Sequence, residues 1–186
     1  MNFCIILLGD ISRKIIKGIA LALGGSIDEM EGEISGDPLW VLRTICYPHP
    51  PLLVGQDNDG NTIGCGAHTD YGFLSLLNQD DDVVALEVKN KSGDLIAATP
   101  VKGTFICNIG DMLKILSNGK YEFTVHRVIN NTSKYRACVA YFYEPNFDAA
   151  AELLDVSVRD TGGMKKFEGA VYGKHLVNKV TNNFVM

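Results

Sequence analysis

His68-Thr69-Asp70 sets an imidazole and a carboxylate two residues apart, in a run that reads as a β-strand. Residues i and i+2 of a strand point to the same face, so both side chains can reach one metal ion. The pair alone is weak: with 22 acidic residues in the chain, a solvated His-Asp pair has the same pattern. His126 changes the balance. It lies in Phe123-Thr124-Val125-His126-Arg127-Val128-Ile129, a run of β type far along the chain. On a neighbouring strand it would complete a two-His, one-carboxylate face. That set leaves several coordination positions open and suits a non-haem Fe(II) ion; zinc is more often held by a tetrahedral set.

Arg136 follows ten residues after His126, among Ala137, Val139, Ala140 and Phe142. An arginine in so apolar a strand either sits at an edge with its head in solvent, or points inward, where it needs a partner. Its planar fork fits bidentate capture of a carboxylate.

The elements that must position these residues follow from periodicity. Residues 10–23 repeat Ile11, Ile15, Ile19 and Leu23 at helical spacing before Gly24-Gly25 ends the run. A short second helix is expected after it, with Ser26 as N-cap. Leu39 to Tyr47 then reads as a strand, closed by Pro48-His49-Pro50-Pro51. Further strands are expected over 63–68, 73–78, 83–89, 95–99, 103–108, 123–129 and 135–143, with Asn90-Lys91-Ser92-Gly93-Asp94 as a hairpin turn. A helical turn or two near 111–117 interrupts them, with Asp111 as the expected N-cap. Many short strands with turns between them indicate a sandwich, jelly roll or barrel. Residues 148–186 are less regular and read as a tail packed on the sheets. Trp40 reads as core; Phe73, Tyr141 and Phe147 could line a substrate pocket but read first as core; His49 and His175 read as surface residues, and Asp80-Asp81-Asp82 as a solvated turn.

Composition narrows the partners. The chain has 186 residues, is 46% hydrophobic and carries a net charge of −5. It is long enough for one core without disulfides or a structural metal. Nothing in its charge favours nucleic acid or an anionic membrane. Cys4, Cys46, Cys65, Cys107 and Cys138 are odd in number and scattered, which fits a reducing, intracellular setting, with the cytoplasm as the expected compartment.

Together the residues resemble plant 2-oxoglutarate- and Fe(II)-dependent dioxygenases of the isopenicillin N synthase-like superfamily. The resemblance runs through Gly64-Cys65-Gly66-Ala67-His68-Thr69-Asp70-Tyr71-Gly72, Leu76-Leu77-Asn78-Gln79-Asp80 and Asn108-Ile109-Gly110-Asp111-Met112-Leu113. It continues through Ser117-Asn118-Gly119, His126-Arg127-Val128, Arg136 and Tyr143-Glu144-Pro145-Asn146-Phe147-Asp148. Order and spacing agree over 39–148, and more loosely from residue 10 to the end.

The resemblance implies a mainly β fold, a double-stranded β-helix (jelly roll) with flanking helices at the N-terminus. Residues 1–38 would be a helical remnant packed on the core, and 39–186 the dioxygenase domain with its tail. Fe(II) would be held by His68, Asp70 and His126. The cosubstrate 2-oxoglutarate would be held by Arg136, with Cys138 and Tyr47 beside it. Dioxygen and a small organic substrate would complete the reaction, which releases succinate and carbon dioxide and hydroxylates the substrate. Two departures touch the anchor: Arg136-Ala137-Cys138 replaces the usual Arg-x-Ser, and Ile45-Cys46-Tyr47 replaces Asn-x-Tyr. The chain is also shorter than the family pattern, so an N-terminal region is expected to be missing, with self-association through the surface this exposes. Two other readings stay open at this point. One is a non-catalytic β-helix module that binds metal. The other is an iron oxidase of the same fold that does not use 2-oxoglutarate.

Overall fold

The computed structural model describes residues 2–48, 55–57 and 59–183; His49 lies outside them. Helix α1 (Asn2–Leu23) opens the chain and leads through Ser26 into a π-helical segment, Glu29–Ile34. The Glu29 amide donates to Ser26 Oγ at 3.4 Å, the capping contact expected of that serine. The buried face of α1 carries Leu8, Ser12, Ile16, Ile19, Ala20 and Leu23. The stripe is therefore rotated from the expected one: Ile11 is exposed, while Ser12 is fully buried. The apolar residues of α1 outnumber those one face can bury, and docking on the sheet decides which of them go in.

Eight strands then build two antiparallel four-stranded sheets. The first has the order β1 (Trp40–Tyr47), β8 (Arg136–Tyr143), β3 (Leu74–Gln79), β6 (Ile106–Ile109). The second has the order β2 (Ile63–His68), β7 (His126–Ile129), β4 (Leu86–Lys89), β5 (Leu95–Ala97). Sequence neighbours are thus dealt between the sheets, the expected jelly-roll arrangement. The 90–94 turn does join β4 to β5, closed by the Asn90 amide donating to the Asp94 carbonyl at 2.8 Å. Helix α2 (Asp111–Leu116) follows β6, and its N-cap is Gly110 rather than Asp111.

Strand β8 is covered on both sides, and its two residue sets go to different places. Tyr141 and Tyr143 pack outward with α1, the π-helical segment and α2. Cys138 and Ala140 pack inward, between the sheets, with Leu77, Val83, Leu86 and Val128, and Phe142 lies against them. Arg136 shares the inward face and is fully buried. Trp40, expected in the core, is 44% exposed on β1 and lies over Tyr141 at 6.3 Å between ring centroids. Phe147 is likewise exposed, whereas Phe73 is buried.

The C-terminal part is more ordered than its sequence indicates. Strands β9 (Ala150–Ala151) and β10 (Ala170–Val171) pair, α3 spans Asp155–Asp160, and α4 spans Tyr172–Asn183. Helix α4 contains Gly173, Val177, Val180 and Thr181, all poor helix formers. Tertiary contacts hold it. Tyr172 is fully buried, and His175 and Lys179, one turn apart, both reach Asp111 Oδ2, at 3.1 and 2.8 Å. His175 is therefore a half-buried partner of Asp111 rather than a free surface residue. Among the described residues no helix is long and apolar enough to cross a membrane.

Candidate metal and cosubstrate site

Strands β2 and β7 pair antiparallel with two register shifts, after which His68 stands directly opposite His126. The rings are 4.3 Å apart. Each histidine is oriented in the same way. His68 Nδ1 donates to the Gly66 carbonyl at 2.8 Å, and His126 Nδ1 to the Thr124 carbonyl at 2.9 Å. A carbonyl only accepts, so the proton sits on Nδ1 and Nε2 is left as the ligating atom.

Asp70 enters from the turn after β2. Its main chain is held by the start of α2: the Asp111 amide donates to the Asp70 carbonyl at 2.9 Å, and the Met112 amide to the Gly72 carbonyl at 3.0 Å. Asp70 Oδ2 accepts a 2.5 Å hydrogen bond from Ser75 Oγ, while Oδ1 lies 3.9 Å from His126 Nε2. One ligand atom from each of His68, Asp70 and His126 falls within 4.8 Å of the other two. Two Nε2 atoms and one carboxylate oxygen, each with its other polar atom already engaged, fit one divalent ion with open positions. The contact with the Cys65 thiol, with Gly66 and Asp70 adding to it against burial, lifts the His68 imidazole to about 9. Burial instead pushes His126 below its usual value.

Arg136 points inward from β8 and is fully buried between the sheets. Its Nη2 donates to Gln79 Oε1 at 3.2 Å and its Nη1 approaches Cys138 Sγ at 3.7 Å. Its Nε is buried without a partner. Among the described residues no carboxylate pairs with it. A fully buried guanidinium with no counter-charge is costly, and an incoming carboxylate would offset that cost. Tyr47, opposite Arg136 in the β1–β8 register, lies with its ring 5.0 Å from the guanidinium. Burial, with Cys138 and Cys65 adding to it, pushes the Tyr47 phenol up to about 12, against the pull of Arg136.

A cavity of about 1110 Å³ opens in front of His68 and Asp70. Its wall includes Val41, Arg43, Ile45 and Tyr47 from β1, Phe142 and Glu144 from the end of β8, and Tyr172, Leu176 and Lys179 from α4. Arg136 and Cys138 do not line it; Tyr47 forms that wall. Phe73, Tyr141 and Phe147 do not line it either. Sequence reasoning assigned no role to Ser75, Glu144 or α4. Only the Tyr-Glu-Pro run marked Glu144, and nothing in the sequence marked Ser75. Burial raises the Glu144 carboxyl to about 8, with Asp70 and Asp111 adding to it and a hydrogen bond to Tyr172 opposing it.

Comparison with known proteins agrees with this geometry. The chain is 62% identical over 176 residues to homoarginine-6-hydroxylase 2-ODD-C23 of Glycine max, covering 95% of this chain and 53% of that protein. It is 59% identical over 181 residues to homoarginine-6-hydroxylase 2-ODD-C23.1 of Arabidopsis thaliana, covering 95% and 54%. The chain thus spans about half the length of these curated relatives. Among solved structures, a full-length Neurospora crassa protein in complex with alpha-KG and 5-formyluracil superposes with a TM-score of 0.83 at 29% identity, covering 98% of this chain and 59% of that one. The sequence pattern of the 2OG-Fe(II) oxygenase superfamily matches residues 39–145, from the start of β1 to just past β8, and the chain belongs to that superfamily.

Proposed function

We propose that this chain holds Fe(II) with His68, Asp70 and His126, takes 2-oxoglutarate on Arg136, and hydroxylates a basic amino acid, homoarginine, at C6. The observation that carries the chemistry is the convergence of two Nδ1-committed imidazoles with Asp70, in a chain that also buries the Arg136 guanidinium with no acid to pair with among the described residues. The substrate comes from the two hydroxylases of Glycine max and Arabidopsis thaliana, whose likeness runs through nearly all of this chain.

Bound Fe(II) and 2-oxoglutarate supply the oxidising chemistry, in which dioxygen is consumed and 2-oxoglutarate is released as succinate and carbon dioxide. The chain's own residues do the rest. The Gly66 and Thr124 carbonyls hold the two imidazoles, and Ser75 holds Asp70. Arg136 receives the far carboxylate of the cosubstrate, with Tyr47 and Cys138 beside it. The apolar walls at Val41, Ile45 and Phe142 keep bulk water from the reacting centre.

Residues 39–186 serve as the oxygenase domain, and 1–38 pack on it. The buried face of α1 supports that division, because it joins the core of the first sheet. The free thiols support a reducing compartment, the cytoplasm. The net charge of −5 supports small-molecule rather than nucleic-acid partners. Exposed Phe3, Ile6 and Leu7 on α1 support self-association, which the elution volume on size exclusion would report.

Anaerobic titration of the protein with Fe(II) and then 2-oxoglutarate tests the site. The visible charge-transfer band of the chelated cosubstrate is expected. On admitting air with homoarginine, succinate should form. Metal binding without that band or succinate would favour the non-catalytic module. Homoarginine oxidation without succinate would favour an oxidase that does not use 2-oxoglutarate.

A further inference from the structure

Two acidic residues line the cavity among the described residues, Asp70 and Glu144. Asp70 is engaged by Ser75 on one oxygen and turns the other toward His126. Glu144 is different. It stands one residue past β8, on the strand face that also carries Arg136, Cys138 and Phe142. Its amide donates to the Leu39 carbonyl at 3.0 Å, which fixes the backbone. Its carboxyl packs against Gly72, two residues after Asp70, where any Cβ would overlap Oε2. The residue is only 5% exposed, and Oε2 has no hydrogen-bond partner.

The Tyr172 hydroxyl engages the carboxyl, but Oε2 stays without a partner, and as a carboxylate the group would lack a counter-charge. Neither cation on the cavity wall is paired with it: Lys179 Nζ lies 2.8 Å from Asp111 Oδ2, and the Arg43 guanidinium lies 5.7 Å from the Phe142 ring centroid. A cationic ligand entering the cavity would supply what is missing. C6 of homoarginine is the carbon bonded to the guanidino group. A molecule that presents C6 to the metal face therefore brings its guanidinium into the cavity that Asp70 and Glu144 both line. Guanidinium and carboxylate match as planar forks.

We propose that Glu144 receives the cationic head group of the substrate and so restricts it to guanidinium- or ammonium-bearing molecules. The role rests on the substrate reading above and adds the residue that enforces it. Homocitrulline is the decisive comparison, since its ureido group has the shape of the guanidinium without the charge. A site built around a carboxylate rejects it, because the acid stays unpaired.

The test uses protein loaded anaerobically with Fe(II) and 2-oxoglutarate, titrated with homoarginine or homocitrulline while the charge-transfer band is followed. Wild type is expected to bind homoarginine at least about tenfold more tightly than homocitrulline. Glu144→Gln should bring the two within about threefold and leave the 2-oxoglutarate titration unchanged. If wild type binds neither ligand, the substrate reading falls and the role of Glu144 with it. Should wild type bind both equally, the substrate reading survives and the charge receptor does not. A preference for homoarginine that persists in Glu144→Gln overturns Glu144 alone. The wild-type comparison decides even where the variant folds poorly.

Discussion

Ser75 Oγ donates to Asp70 Oδ2 at 2.5 Å, and Asn108 Nδ2 in turn donates to Ser75 Oγ at 3.4 Å. All three side chains are buried. Strands β3 and β6 pair Ser75 with Asn108, so the first sheet reaches across to orient a carboxylate that belongs to the metal face of the second. Loss of such an outer contact typically weakens metal binding ~10–100-fold. Ser75→Ala is expected to raise the Fe(II) dissociation constant into that range. Ser75→Thr, which keeps the hydroxyl, should recover part of the loss. Direct Fe(II) titration of both variants checks this.

Arg136 carries the charge that would bind the cosubstrate, so Arg136→Ala should nearly abolish 2-oxoglutarate binding, and Arg136→Lys should restore only part of it. Cys138 is the finer test. A hydrogen bond to a charged group is worth roughly 1.5–3 kcal/mol, and a thiol is a poor donor. Cys138→Ser should tighten 2-oxoglutarate several-fold. Dissociation constants for the three variants check both statements; unchanged affinity in Arg136→Ala would remove this arginine from the site.

Glu144 makes the fold sensitive to base. Burial, then Asp70 and Asp111, raise its carboxyl to about 8 against the Tyr172 hydrogen bond; Asp111 itself is held by His175 and Lys179. The folded state thus keeps a proton that the unfolded chain gives up near 4.5. Between those values the folded state binds more protons, so this residue's contribution to stability falls as pH rises, and it levels off above about 8. Glu144→Gln should flatten that part of the profile and melt higher than wild type at pH 8–9, on the order of a few degrees. Thermal unfolding of both proteins from pH 5 to 9 checks it.

Gly110 and Gly72 both lack room for a side chain, for different reasons. At Gly72 a Cβ meets the Glu144 carboxyl, which can move. At Gly110 it meets the Gly72 carbonyl oxygen and lies 3.1 Å from the Asp70 carbonyl, which are backbone. Gly110→Ala must therefore shift the turn that carries Asp70. It is expected to cost ~1–3 kcal/mol of stability and to weaken Fe(II) binding as well. Gly72→Ala should leave Fe(II) binding closer to wild type and weaken homoarginine instead. Denaturant unfolding and the two titrations separate the cases.

Strand positions and the chemical identities of the site were legible in the amino-acid order. Runs of β-branched and aromatic residues between turn signals placed β1 to β8 within a few residues, because such residues favour strands and a hairpin needs residues such as Asn90 and Gly93. His68 and Asp70 were legible as a pair from their spacing, although β2 ends at His68 and Asp70 reaches the same centre from the turn that follows rather than from the strand face. Where the other partners lie depends on the packing of distant elements. Pairing His68 with His126 takes two register shifts in β2, which no local pattern encodes. Trp40 reads as core by residue type, yet it faces out, because β1 is an edge strand of its sheet. Helix α4 was hidden by its weak helix formers, since its stability comes from Tyr172 and Asp111 rather than from its own residues. Ser75 was silent for the same reason, and the Tyr-Glu-Pro run marked Glu144 without showing its role. Their importance lies in what they touch across the fold, and a polar residue in a strand looks alike in sequence whether it faces solvent, a metal ligand or a substrate.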